Sequence, residues 1–180
     1  MNLDDLQIAT PRLLLRVPRA DDLDAWAEMM ADEAVARFIG GVMPRSVTWR
    51  VVMTMIGAWH ATGVSMFSVI EKATGRWVGR LGPWMPADWP GPEVGWAIVR
   101  ECWGRGYATE GATVAIDWAF DHLGWDRVIH SISPENIASQ VVARKLGSRN
   151  LGPGSLPPPY ERVRIDIWGQ SRDEWRARQR

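Results

Sequence analysis

Between residues 93 and 124 the sequence runs from a strand-like segment through a glycine turn into a helical one, and no other stretch restricts the fold as strongly. Glu93-Val94-Gly95-Trp96-Ala97-Ile98-Val99 is a short apolar run rich in β-forming residues. Residues 108–123 then carry apolar side chains at helical spacing, through Ala112, Ala115, Ile116, Ala119 and Phe120, and stop at Gly124. In between, Gly104-Arg105-Gly106-Tyr107-Ala108-Thr109 has two glycines free to turn successive backbone N–H groups into one concavity, with the positive end of the helix behind it. Such a nest suits a pyrophosphate. A dinucleotide fingerprint is the nearest rival, but Thr109 holds its third glycine position and the loop lies mid-chain, after a hairpin.

The rest of the chain frames this unit. Residues 12–17 alternate as a strand, and Asp21 and Asp22 precede Leu23, Trp26, Ala27 and Met30 at amphipathic helical spacing. Residues 37–45, with Gly40-Gly41 and Pro44, break the period before a second helix runs from Ser46 to Gly63. Residues 65–71 and 76–81, joined at Lys72-Ala73-Thr74-Gly75, predict an antiparallel hairpin, and residues 83–92 a loop. After the 108–123 helix come a strand at 127–133, a short helix at 136–146 stopped by Gly147, a strand near Ser148 and a last strand at 160–168. Ser171-Arg172-Asp173-Glu174 has capping-box spacing and opens a terminal helix carrying Trp175.

A chain of 180 residues fits one domain, 1–180, able to bury about 70% of its unfolded surface. No apolar run approaches the roughly 20 residues of a membrane span, and the N-terminus, with Asp4 and Asp5, lacks the layout of a signal peptide. A cytoplasmic protein without a membrane partner is expected. Zero formal charge argues against nucleic acid as a partner. The lone Cys102 excludes internal disulfides, and His60, His122 and His130 lack metal spacing, so no metal is expected. Twelve tryptophans read chiefly as core.

Residues 93–148 resemble the core of the GNAT acetyltransferase superfamily, whose coenzyme loop has the form Gln/Arg-x-x-Gly-x-Gly/Ala. Gly106 and Ala108 fill its last two positions, while Trp103 replaces the first. Trp-Gly-Arg-Gly-Tyr-Ala-Thr-Glu and Pro134-Glu135-Asn136-Ile137-Ala138-Ser139 are similar to the branch that holds the ribosomal-protein N-terminal alanine and serine acetyltransferases. The resemblance implies an α+β (mixed α/β) fold of the acyl-CoA N-acyltransferase type. It has a central, mostly antiparallel mixed sheet with helices on both faces, splayed open at the strand before the loop. It further implies acetyl-CoA as cosubstrate, bound by Trp103, Gly104, Arg105, Gly106, Tyr107, Ala108, Thr109, Asn136, Ser139 and Arg144, with a backbone N–H near Ile98 or Val99 at the thioester carbonyl. Lys145 is a further candidate for the coenzyme phosphates.

Acetyl transfer needs a neutral amine and a neutralised leaving thiolate. A lysine-like amine titrates at about 10.4 and an α-amino group near 8, so the need for a base depends on the acceptor. Glu93 is the first candidate base and Glu110 the second, each also readable as an ordinary strand-end or helix-start carboxylate. The tyrosine that donates to the departing sulfur in many members is replaced by Ala143, and Ser139 matches the serine proposed for that task in the ribosomal-protein branch. No histidine adjoins Cys102, which argues against a thiol nucleophile and for direct attack in a ternary complex.

The acceptor pocket is expected from residues 37–45, 84–89 and 152–160, where Asp88 and Glu161 are too few carboxylates for a polycation. A peptide N-terminus or small hydrophobic amine fits better. An antibiotic-amine acetyltransferase and a non-catalytic acyl-CoA sensor are the alternatives. Edge strands and exposed tryptophans permit a homodimer.

Overall fold

Turn chemistry sets most element boundaries in the computed structural model, which describes residues 3–179; Met1, Asn2 and Arg180 of the expected domain lie outside them. Gly63 and Gly147, at φ 70° and 92°, terminate α3 (Arg45–Thr62) and α5 (Ile137–Leu146) in the left-handed region that glycine reaches without steric cost. Ser171 and Glu174 form the expected reciprocal capping box at the start of α6 (Arg172–Ala177). The first helix, α1 (Leu23–Ala31), follows a 3₁₀ turn, and a four-residue α2 (Glu33–Ala36), capped by Asp32, stands just before the expected link at 37–45.

Eight strands form one sheet: β1 (Gln7–Ala9), β2 (Leu13–Arg16), β3 (Phe67–Glu71), β4 (Trp77–Trp84), β5 (Glu93–Ile98), β6 (Arg127–Ile132), β7 (Arg149–Gly154) and β8 (Ile165–Ser171). Their order is β1-β2-β3-β4-β5-β6-β8-β7. Every described pairing is antiparallel except β5–β6, which is parallel and is bridged by α4 (Tyr107–His122). This is the expected mostly antiparallel mixed sheet.

One strand lies outside the sequence expectations, and one expectation needs correction. β1 has no sequence forecast, being three residues with a largely exposed pattern. The last strand lies at 165–171 rather than 160–168, because residues 157–163 are taken up by two successive turns and the ladder with β6 runs on to Ser171.

One face of the sheet is covered by α4, where Leu81, Ala112, Ala115, Ile116, Trp118 and Phe120 form the main core. The other face holds a separate cluster from α1, α3 and the strands, including Trp26, Met30, Val52, Met55, Met66, Trp77 and Ala97. Each fully buried large side chain contributes about 1.5–3 kcal/mol, so both layers are well secured. Six tryptophans are buried, whereas Trp49 and Trp103 are half-exposed at 50%. No helix among the described residues is long and apolar enough to cross a membrane.

Candidate active site

β5 pairs with β4 along its whole length but with β6 only at Glu93 and Ile129. Beyond that point side chains take over from the ladder. His130 Nδ1–H donates to Val94 O at 2.7 Å and its Nε2 accepts from Ser148 Oγ at 2.9 Å. The tautomer follows because a carbonyl only accepts. Burial holds the His130 pKa down to about 4, so the ring is neutral at ordinary pH. The strands diverge toward Ile98, opening the splay that the resemblance implies.

Val99 N–H donates to Val78 O at 3.0 Å. Val99 is thereby removed as a thioester donor, and the alternation of the antiparallel ladder turns the N–H of Ile98 into the gap instead. The Ile98 carbonyl, which faces the same way, accepts the Trp103 indole N–H at 2.7 Å. Trp103 therefore braces the strand end from the first position of the loop.

Gly104 and Gly106 sit at φ 74° and 81°. No side chain caps α4, and Glu110 N–H, bonded to Gly106 O, is the first to close a helical turn. The N–H groups of Tyr107, Ala108 and Thr109 have no intrahelical acceptor, which leaves a backbone nest at the positive end of a 16-residue helix. The side chains around it behave otherwise than expected. Tyr107 is buried and donates its hydroxyl to Glu71 at 2.5 Å, while Arg105 leans on the same carboxylate at 3.5 Å. Both guide the loop's shape, and only their backbones face the nest. Arg144 stacks over Trp168, 5.3 Å from its ring centroid, and bonds Gln140 at 3.1 Å; Arg144 and Lys145 are both exposed.

Across the gap, Asn136 caps α5 by accepting the Ser139 N–H at 3.1 Å, so its amide NH2 remains for a ligand. Ser139 Oγ accepts the Trp96 indole N–H at 3.3 Å, joining β5 to α5. A hydroxyl held as acceptor keeps its own proton to donate. Ala143 is fully buried with Ile132 and Trp168, so its position has no polar group to offer.

On the α1 and α3 side of the gap, Glu93 is 7% exposed and accepts from Trp89 Nε1 and Ser131 Oγ, both at 2.7 Å. Burial outweighs these bonds and holds its carboxyl above the usual range. Glu110 has the opposite fate. It takes Thr10 Oγ at 2.6 Å, Arg12 N–H at 2.9 Å and Arg12 Nε at 2.6 Å, bonds that overcome its burial, depress its pKa and latch α4 to β2. A carboxylate so engaged is no base, which corrects the second choice. Cys102 is buried, and burial pushes its thiol pKa up.

Of the three segments expected to shape the acceptor side, 84–89 reaches Glu93 through Trp89, and 37–45 approaches 152–160. Trp84 and Trp89 pack edge to face, 6.4 Å apart, and a Cβ placed on Gly40 would stand 3.8 Å from the Tyr160 ring. Sequence reasoning missed the parts played by Arg80, His130 and Ser131, while Trp89 lies in the expected 84–89 segment. Arg80 stands as the lone charged residue in an apolar strand, and His130 lies within the apolar stretch that follows Arg127, which is the signal that marks them.

The chain belongs to the acetyltransferase (GNAT) domain family, whose profile matches residues 12–149. Members of this family use acetyl-CoA, and the uncapped nest, the inward Ile98 N–H and the free Asn136 amide fit that molecule. The uncharacterized N-acetyltransferase p20 of Bacillus licheniformis is 28% identical over 165 residues, 88% of this chain and 91% of that protein. A crystal structure of an acetyltransferase from Agrobacterium tumefaciens is 27% identical with a TM-score of 0.81, covering 96% of this chain and 98% of its own. A ribosomal-protein-S5-alanine acetyltransferase from Vibrio fischeri, 16% identical, shares the fold with a TM-score of 0.75 over 95% of this chain and 99% of its own.

Proposed function

We propose that this protein moves an acetyl group from acetyl-CoA to a primary amine by direct attack in a ternary complex. The observation that carries the reading is the gap between β5 and β6, with an uncapped α4 N-terminus at one end and a buried carboxylate at the other. Acetyl-CoA, when bound, supplies the acyl group on a thioester. Gly104 to Thr109 hold its pyrophosphate through backbone N–H groups. Asn136 holds an amide of its pantetheine arm.

Each residue at the gap then has one task. Glu93, more basic than an exposed carboxylate, takes the proton that the amine must shed. The Ile98 N–H points to where negative charge grows on an attacked carbonyl. Ser139, oriented by Trp96, keeps its proton and donates a hydrogen bond to the departing sulfur. One N–C bond forms as one C–S bond breaks, and the amine's proton balances the one the sulfur acquires.

A peptide N-terminus or small amine in the cytoplasm is the acceptor, in keeping with the fold shared with a ribosomal-protein acetyltransferase. Thiol release from acetyl-CoA, measured across peptides and small amines, tests the reading. Amine-dependent release supports it, whereas tight acetyl-CoA binding with no release across the panel assigns the chain a sensing role.

A further inference from the structure

Among the described residues three buried side-chain polar atoms lack a hydrogen-bond partner, and two of them are donors on neighbouring side chains: Arg80 Nε and Trp26 Nε1. The Arg80 guanidinium lies 5.9 Å from the Trp26 ring centroid, and its Nη1 meets only the Met66 sulfur. Arg80 is 9% exposed. A guanidinium has five donors and no acceptor, and a buried one is ordinarily paired with an anion. Desolvation brings its pKa to about 10, so it remains charged at neutral pH. Glu93 and Tyr160 are the groups whose charge it feels, but the hydrogen bonds that Glu93 accepts, both on Oε2, come from Trp89 and Ser131 and not from Arg80.

The site faces the acceptor side. Arg80 stands opposite Ala97 in the β4–β5 ladder, and Gly95 shares that face by strand alternation. A Cβ on Gly95 would meet Met66 at 2.8 Å and Glu93 Oε1 at 3.3 Å. Glycine therefore leaves a bare floor between the buried cation and the buried carboxylate. Trp26, Met66 and Trp84 give apolar walls.

We propose that Arg80 and Trp26 receive a carboxylate, and that the acceptor is a small amino carboxylate whose anionic end lies on Arg80 and whose amine lies at Glu93. The proposal rests on the transferase reading above. It explains in one step why two donors are left without acceptors on the side of the sheet where the amine enters. It also excludes polycations, which the buried guanidinium repels.

The test uses α- and ω-amino carboxylates beside their primary amides, which keep the shape and lose the charge. Thiol release by the wild-type protein is expected to favour each acid over its amide by about 100-fold in kcat/KM. In Arg80→Gln that preference collapses through a rise in KM for the acids far larger than any change for the amides. Trp26→Phe, which removes the indole N–H together with part of the ring's buried volume, reduces the preference partway and serves where the arginine variant fails to fold. Equal use of acids and amides by wild type, or an equal loss on both in Arg80→Gln, overturns the proposal. A second readout is the thermal midpoint with N-acetyl amino carboxylates, expected to rise for wild type and not for Arg80→Gln. Should no amine release thiol while this shift persists, the transfer reading falls and the anion site stands. Should amides alone be acetylated, transfer stands and the anion site falls.

Discussion

The two ends of the gap are built from different materials. At the α4 end the groups proposed to bind are backbone N–H donors, presented by Gly104 and Gly106 at positive φ in an exposed turn. At the acceptor end they are side chains, with Glu93 and Arg80 each less than a tenth exposed and each contributed by a different strand. Backbone donors require only that the turn form, so they serve a cosubstrate that does not vary. Buried charges are costly to place and tolerate few partners, so they suit the half of the reaction where discrimination matters.

Substitutions at each end ought to fail differently. The largest effect is expected from Glu93→Gln, which keeps the Trp89 and Ser131 contacts but loses the base, lowering kcat by about 100-fold or more. Because the Glu93 pKa is raised, the wild-type rate should fall as pH drops through that raised value, and the variant should lack this limb. Its thermal midpoint should hold or rise, since the substitution removes a buried charge; a fall in both activity and stability would erase the contrast. Ser139→Ala, at the border of the two regions, is expected to lower kcat by about 20-fold with little change in either KM.

Gly106→Ala probes the backbone end. A Cβ there meets nothing closer than Arg12 Nη2 at 3.5 Å, so the penalty is the left-handed backbone alone. That penalty of about 1–2 kcal/mol predicts a roughly 10-fold rise in the KM for acetyl-CoA with the amine KM unchanged. A matching rise in the amine KM would show that the ends are coupled.

His130 bears on stability rather than on rate. Its folded pKa of about 4 lies below the ordinary 6.5, so the unfolded chain takes up its proton first as pH falls. Stability is full above pH 6.5 and about 3 kcal/mol lower by pH 4 on this account. Glu93 acts in the opposite sense over part of that window. Thermal midpoints of wild type against His130→Asn, which keeps a donor for Val94 O, isolate the histidine.

The same contrast governs what was legible in the sequence. Gly104, Gly106, Gly147 and the Ser171–Glu174 box announce local geometry, and the strand, turn and helix around the loop follow from them. The acceptor side offers no such marks. Arg80 reads as one polar residue in a hairpin, and its burial depends on α1 and α3 folding across that face. Tyr107 and Arg105 are in the expected loop, yet their side chains are claimed by Glu71, which lies 34 or more residues away in sequence. Glu110 reads as a dipole partner or base until Thr10 and Arg12 are brought to it. Long-range partners decide the task of a charged side chain, and a single sequence does not show them.

The parallel junction of β5 and β6 has a mechanical consequence. On either side, β1–β5 and β6–β8 are each stitched by antiparallel neighbours, while the junction holds one paired position, Glu93 with Ile129, and a neutral imidazole on Val94. The sheet behaves as two stiff leaves on a narrow spine. Bending at the spine widens the gap without unzipping either leaf, so product departure need not disturb the core. Backbone amides on the spine should exchange with solvent well before those inside the leaves.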